Sequence, residues 1–232
     1  MQMMRGAGLV LLCLIGACCG GCASGFGAEV PPGLSLAGSW RLDPAASDDP
    51  QKVLDHMREE ASRIMLRQYN QYNQAPPQTT GRGQGSSRGN TDEDYGFGGG
   101  GPPQGDPLRH SPMAHIIENA VGRGDFLTVR QGPEEFVLDY GTSRRSFTPG
   151  GRSVVSAEGG VADQTSGWDG HSYVIMVKEQ YGSTVKEEYS LSSDGALIEK
   201  LHIGTAELPA VTLTRLYRPT HDSSPRVMPS ND

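Results

Sequence analysis

The chain has 232 residues, with 20 Lys and Arg against 27 Asp and Glu and a formal net charge of −7. That acidic balance argues against nucleic acid or an anionic lipid surface as a general partner. All four cysteines (Cys13, Cys18, Cys19 and Cys22) lie before residue 23, so the rest has no disulfide and no thiol nucleophile and must be held by its core.

The first segment reads as an export signal. Arg5 is the one charge before an apolar run, Gly6 to Ala17, that closes on Ile15-Gly16-Ala17-Cys18. The run is too short to span a bilayer, and its basic head and small terminal residues suit a signal peptide, residues 1–17. The expected processing is cleavage before Cys18 with lipid on its thiol. The alternative is a secretory signal cut after Ser24 or Gly25, which leaves a soluble periplasmic protein. Removing residues 1–17 takes away Arg5 alone, leaving 19 basic and 27 acidic residues, net −8. No Asp follows Cys18, which in lipoprotein families favours the outer membrane. Residues 18–35 then form a lipid-attachment tether, 36–219 a single β domain, and 220–232 a flexible tail.

Leu36, Gly38, Trp40 and Leu42 alternate with Ala37, Ser39 and Arg41, which predicts a first strand. A helix is expected from about Pro50 to Gln68. Asp49 caps it, Pro50 suits its first turn, and Val53, Met57, Ala61 and Ile64 share one face with Leu54 and Met65 flanking. Residues 69–107 hold 10 Gly and 5 Pro in 39 positions, and no Val, Ile, Leu or Met. Such a tract buries too little apolar surface to offset its ordering entropy, so disorder is expected there. A shorter helix over Pro112 to Ala120 follows, with Met113, Ile116 and Ile117 as its apolar face.

From Asp125 the period changes to 2. Phe126 to Gln131 alternates weakly; Phe136, Leu138 and Tyr140 share a face, as do Tyr173, Ile175 and Val177. Val185, Tyr189 and Leu191 face one way, with Lys186, Glu188 and Ser190 opposite. Leu197, Leu201 and Ile203 follow, then Val211, Leu213, Arg215 and Tyr217. Ser193-Asp194-Gly195 is a short-hairpin signal. The sum is a mainly β fold, an antiparallel meander of about eight or nine strands. One helix and a Gly/Pro/Gln-rich insert separate its first strand from the others.

Gly38-Ser39-Trp40 resembles the Gly-x-Trp signature of lipocalins and the wider calycin group. The resemblance implies a barrel whose bottom is closed by Trp40 packed against a basic side chain near the last strand, Arg215 or Arg218. More specifically, the chain is similar to exported bacterial proteins of unknown function with a lipocalin-like domain. The matching segments are Gly38-Ser-Trp-Arg-Leu-Asp-Pro44 with Ser47, Trp168-Asp169-Gly170, Tyr189-Ser-Leu-Ser-Ser-Asp194-Gly195 and Leu216-Tyr217-Arg218. The resemblance covers residues 36–50 and 125–219. It implies a fold and little chemistry, because one fold hosts many functions.

Motifs with chemical meaning are scarce. Gly85-Ser86-Ser87-Arg88-Gly89 matches a hydrolase elbow in letters but lies in the low-complexity tract, without a strand before it or a helix after it. Gly170-His171-Ser172 lacks the closing glycine of such an elbow. Gly96, Gly98 and Gly101 have no βαβ unit around them. The six histidines show no metal-ligand spacing, and Asp92-Glu93-Asp94 lacks a calcium loop's alternation. Glu187 and Glu188 are adjacent, hence on opposite strand faces, and form no acid/base pair. The expectation is therefore a non-enzymatic envelope lipoprotein, without metal or cofactor and without nucleic acid as partner. Its barrel is expected to bind a small apolar ligand. Phe136, Leu138, Tyr173, Ile175, Tyr189 and Leu213 either line a cavity or fill it. The alternative is a structural module that engages an envelope protein through the helix and the insert.

Overall fold

The computed structural model describes residues 25–74, 105–109, 111–157, 160–179, 183–205 and 208–224. The signal segment, Cys18 and residues 75–104 of the tract lie outside the described residues. Strand β1 (Gly38–Leu42) is followed by helices α1 (Pro50–Gln74) and α2 (Pro112–Gly122). The β meander then runs through β2 (Phe126–Gln131), β3 (Phe136–Asp139), β4 (Arg144–Phe147), β5 (Arg152–Ala157) and β6 (Gly160–Asp169). It closes with β7 (Ser172–Glu179), β8 (Thr184–Leu191), β9 (Leu197–Gly204) and β10 (Val211–Pro219). No helix among the described residues is long and apolar enough to cross a membrane.

All ten strands form one antiparallel sheet in the order β4-β3-β2-β1-β10-β9-β8-β7-β6-β5. β1 is the joint: Trp40 stands opposite Leu127 of β2 on one side and Pro219 of β10 on the other. The sheet curls until β3 lies over β7, where the Phe136 and Tyr173 rings stack at 3.7 Å. β4 and β5 remain unpaired with each other, so the result is a lipocalin-like half-barrel with a seam. Ten strands form where eight or nine were expected. The three least visible in sequence are Arg-Arg-Ser-Phe in β4, the exposed edge β5, and the polar β6. Their apolar alternation is weak because edge and outward positions need none.

The meander gives the half-barrel two ends. The base holds the β2–β3, β4–β5, β6–β7 and β8–β9 turns. The mouth holds the β3–β4, β5–β6, β7–β8 and β9–β10 connections together with the helices. At the base, Leu36, Trp40, Phe136, Trp168, Tyr173, Leu197 and Tyr217 form a continuous buried cluster. At the mouth, Leu54, Met57 and Ala61 of α1 and Met113, Ile117 and Ala120 of α2 cover Leu201, Ile203 and Leu213. The helices thus roof β9 and β10 and leave the β5–β7 side less covered.

Asp49 caps α1 as expected, its carboxylate accepting from the Gln51 N–H at 3.0 Å. The helix continues past Gln68 to Gln74, however, so residues 69–74 of the tract are helical. Extending an existing helix adds a hydrogen bond per residue fixed, and none of these six is Gly or Pro. The segment before β1, expected to be a tether, is also partly folded. Gly27 exchanges two backbone hydrogen bonds with Trp168, at 2.7 and 2.8 Å, while Val30 and Leu34 pack on the base cluster. Gly167 makes room: a Cβ there would lie 2.5 Å from the Gly27 carbonyl oxygen and 2.7 Å from the Gly150 nitrogen.

Candidate functional site

Three neighbouring strands carry a charge in the middle of an apolar inward row. In β8 Glu187 stands between Val185 and Tyr189, in β9 Glu199 between Leu197 and Leu201, and in β10 Arg215 between Leu213 and Tyr217. The register sets Glu199 opposite both Tyr189 and Arg215. All three charged residues are at most 4% exposed. Arg123, just past α2, and Arg145, from edge strand β4, reach in to meet them.

The hydrogen bonding is dense. Arg123 Nη1 and Nη2 donate to Glu187 at 3.2 and 3.1 Å, and Nη1 also donates to Glu199 at 3.1 Å. Arg145 Nη1 donates to both Glu187 oxygens, at 2.9 and 2.7 Å. Tyr189 donates its hydroxyl proton to Glu187 at 2.8 Å, and its oxygen lies 3.1 Å from that of Tyr140. Tyr217 donates to Glu199 at 2.8 Å. Arg215 donates to the Ala120 and Gly124 carbonyls, tying the end of α2 to the sheet. Every carboxylate oxygen of the two glutamates is occupied, which is what burial of charge demands.

Burial works against ionisation of Glu187, yet Arg145 and Arg123 outweigh it and hold the carboxyl well below the usual carboxylate range. Burial also pushes the Tyr140 and Tyr189 hydroxyls up, and the nearby glutamates push the same way, so both rings stay neutral at ordinary pH. The charged set is thus three arginines against two glutamates.

A cleft of about 580 Å³ opens onto this cluster at the mouth. Ile116 and Asn119 of α2 form one wall, and Val177 and Val185 of β7 and β8 the other; Arg123 and Glu187 lie at its floor and Glu179 at its rim. A second cleft, of about 430 Å³, lies beside the N-terminal segment at the base and is lined by Phe26, Arg152, Asp163 and Lys178, among others. It meets none of the buried charges.

The residues singled out from sequence fall in different places. Phe136, Leu138, Tyr173, Ile175, Tyr189 and Leu213 are all at most 1% exposed and fill the interior. Trp40 is buried at the base, donating Nε1 to the Leu36 carbonyl at 3.1 Å; Gly38, exposed with φ of 154°, lies against its indole. Neither expected arginine stacks on Trp40 among the described contacts. Arg215 stands over the Tyr217 ring at 5.4 Å, and Arg218 pairs with Asp43 and Asp194 on the surface. The reason is register: Arg215 lies two residues before Tyr217, nearer the mouth, and Arg218 points outward. Cys18 lies outside the described residues. Glu187 and Glu188 do occupy opposite faces, Glu188 bonding Lys186 and Ser172. Sequence reasoning used that fact to dismiss Glu187 and so missed the centre of the cluster. Among the described residues, no group of three or more His, Cys, Asp or Glu could hold a metal ion.

No family model and no curated protein matches the chain. Among solved structures, it is similar to the REP1-NXSQ fatty acid transporter, with 15% identity over 81% of this chain and 98% of that one and a TM-score of 0.39. A point mutant of that transporter gives 16% identity, coverage of 80% and 98%, and a TM-score of 0.39. A zebrafish ileal bile acid-binding protein in complex with cholic acid gives 11% identity, coverage of 79% and 98%, and a TM-score of 0.35.

Proposed function

We propose that this chain is a non-enzymatic binding module of the cell envelope, carried on a lipid at Cys18, that holds a small amphiphile in the mouth cleft. The observation that supports this most is the cleft's layout: apolar patches from Ile116, Val177 and Val185, beside polar Asn119 and Ser156, above a floor that holds the Arg123 guanidinium bonded to Glu187. An apolar tail lies along the walls, and an acceptor-bearing head meets the arginine. The volume of about 580 Å³ falls in the range of small-ligand sites. The filled interior limits the tail to the cleft. The buried glutamates and tyrosines serve as a fixed floor, since their oxygens are already committed to protein donors and acceptors.

The test is titration with a fluorescent anionic amphiphile, comparing the native protein with Val185→Trp, which fills the cleft. Binding weakened tenfold or more, with an unchanged thermal midpoint, supports the cleft as the site. Equal binding by both proteins removes it. A second reading, docking of an envelope protein, draws on the distal half of α1, where Leu66 is 46% exposed. Deleting residues 75–104 and comparing the envelope proteins that co-purify separates the two readings.

A further inference from the structure

The N-terminal segment fixes where any anchor leaves the domain. Gly27 pairs antiparallel with Trp168, the penultimate residue of β6, and β6 runs from mouth to base. Residues before Gly27 therefore run past the end of β6, and Gly25 and Phe26 border the same cleft as Asp169. The fit is tight at two glycines: Gly167 has no room for a side chain, and a Cβ on Gly150 would lie 3.0 Å from that of Ala28. With Val30, Leu34 and Leu36 packed into the base, the chain leaves at the closed end opposite the cleft.

We propose that this docked segment holds the base toward the bilayer and turns the mouth cleft away from it, so that ligand is exchanged with the aqueous compartment. The inference rests on the anchor reading of Cys18. Seven residue steps separate Cys18 from Gly25, and a fully extended chain covers about 25 Å in that distance. The ten residues of β6 measure about 30 Å along the strand, and at the usual barrel tilt they rise about 23 Å from mouth to base. A mouth-down orientation would lift the exit point by that height, so it would need the tether almost fully stretched, whereas a base-down orientation leaves it slack. Lipid on Cys22 would shorten the tether further, to about 10 Å. The base carries both signs of charge, Asp194 paired with Arg218 and Asp222 with Arg41, so the covalent chain, and not a one-signed surface, holds this orientation.

The experiment uses the full-length chain, expressed with its signal in a Gram-negative host and reconstituted into phosphatidylcholine vesicles containing a headgroup spin-labelled lipid. Cys18 is kept as the acyl carrier in a C19S/C22S background. A fluorophore is placed through Ser193→Cys at the base or Val161→Cys near the mouth. Quenching several-fold stronger at the base supports the orientation. Equal quenching, or stronger quenching at the mouth, in protein that floats with the vesicles overturns it while leaving the anchor intact. Protein that does not float overturns the anchor and the orientation with it. Gly27→Pro removes the N–H donated to Trp168 and frees the chain toward Leu34, so the base-to-mouth contrast is expected to collapse in that variant. An undiminished contrast would show that the docked segment does not set the orientation.

Discussion

The aromatic base of this half-barrel and the charge cluster beneath its mouth are both buried, but they are held by opposite means. At the base, Phe136 stacks on Tyr173, and Trp168 meets Phe136 edge-on at 6.0 Å and Tyr173 at 5.1 Å. Each such ring pair adds about 0.5–1.5 kcal/mol beyond the area buried. Beneath the mouth, five charges and three tyrosines, of which Tyr217 also borders the base cluster, fill the same kind of space. Aromatic packing degrades gradually when trimmed, because its neighbours relax. A buried ion cluster does not, because each member's desolvation is offset only by the others. One end thus loses stability in proportion to what is trimmed, and the other depends on its full set of partners.

The sharpest way to break this comparison is Arg123→Met. It strips hydrogen bonds from both Glu187 and Glu199 and is expected to cost about 3–5 kcal/mol in urea unfolding. Adding Glu187→Leu should recover part of that loss; a strictly additive double variant would show that the cluster is not coupled. Phe136→Ala at the base should cost about 3 kcal/mol, with the slope of stability against pH unchanged.

The pH dependence separates the two ends without a large change in total stability. The folded Glu187 carboxyl resists protonation, whereas in the unfolded chain it titrates near the ordinary carboxylate value of 4.5. Below about pH 5 the unfolded state therefore binds a proton that the fold does not, and stability falls as pH falls. In Glu187→Gln that acid slope should flatten. At the alkaline end the sign reverses. Burial raises Tyr140 and Tyr189 above the ordinary phenol value of 10.0, so stability is complete below that pH and declines above it. Tyrosinate absorbance should then appear together with unfolding and not before. Smallest of all, Arg218→Ala, which breaks exposed pairs with Asp43 and Asp194, should shift the urea midpoint barely at all, and added salt should erase what shift there is. A larger loss would mean that the rim of the base is stapled by charge as the mouth is.

Much of the architecture was legible because inward rows announce themselves: the alternation in β1, β7, β9 and β10 and the cap at Asp49 all recur in the structure. β4 and β5 were hidden because an edge strand with few inward apolar residues has no periodic signature. The cluster was harder. Glu187, Glu199 and Arg215 each replace one apolar residue in a regular row, and each looks alone like an interruption. The signal was their coincidence at the middle of three successive strands, which becomes a site only once the register is known. Arg123 and Arg145 carried no such mark, since what brings them in is the position of α2 and the curl of β4.

The dual pairing of β1 also has a consequence in time. Asp43, one residue beyond β1, bonds Arg218, 175 positions later. The strand that joins both arms of the sheet emerges first from the ribosome, and its β10 partner almost last. Closing so long a loop comes at a slow step in folding. A chain whose first strand pairs with its last cannot complete its sheet until nearly all of it has been made.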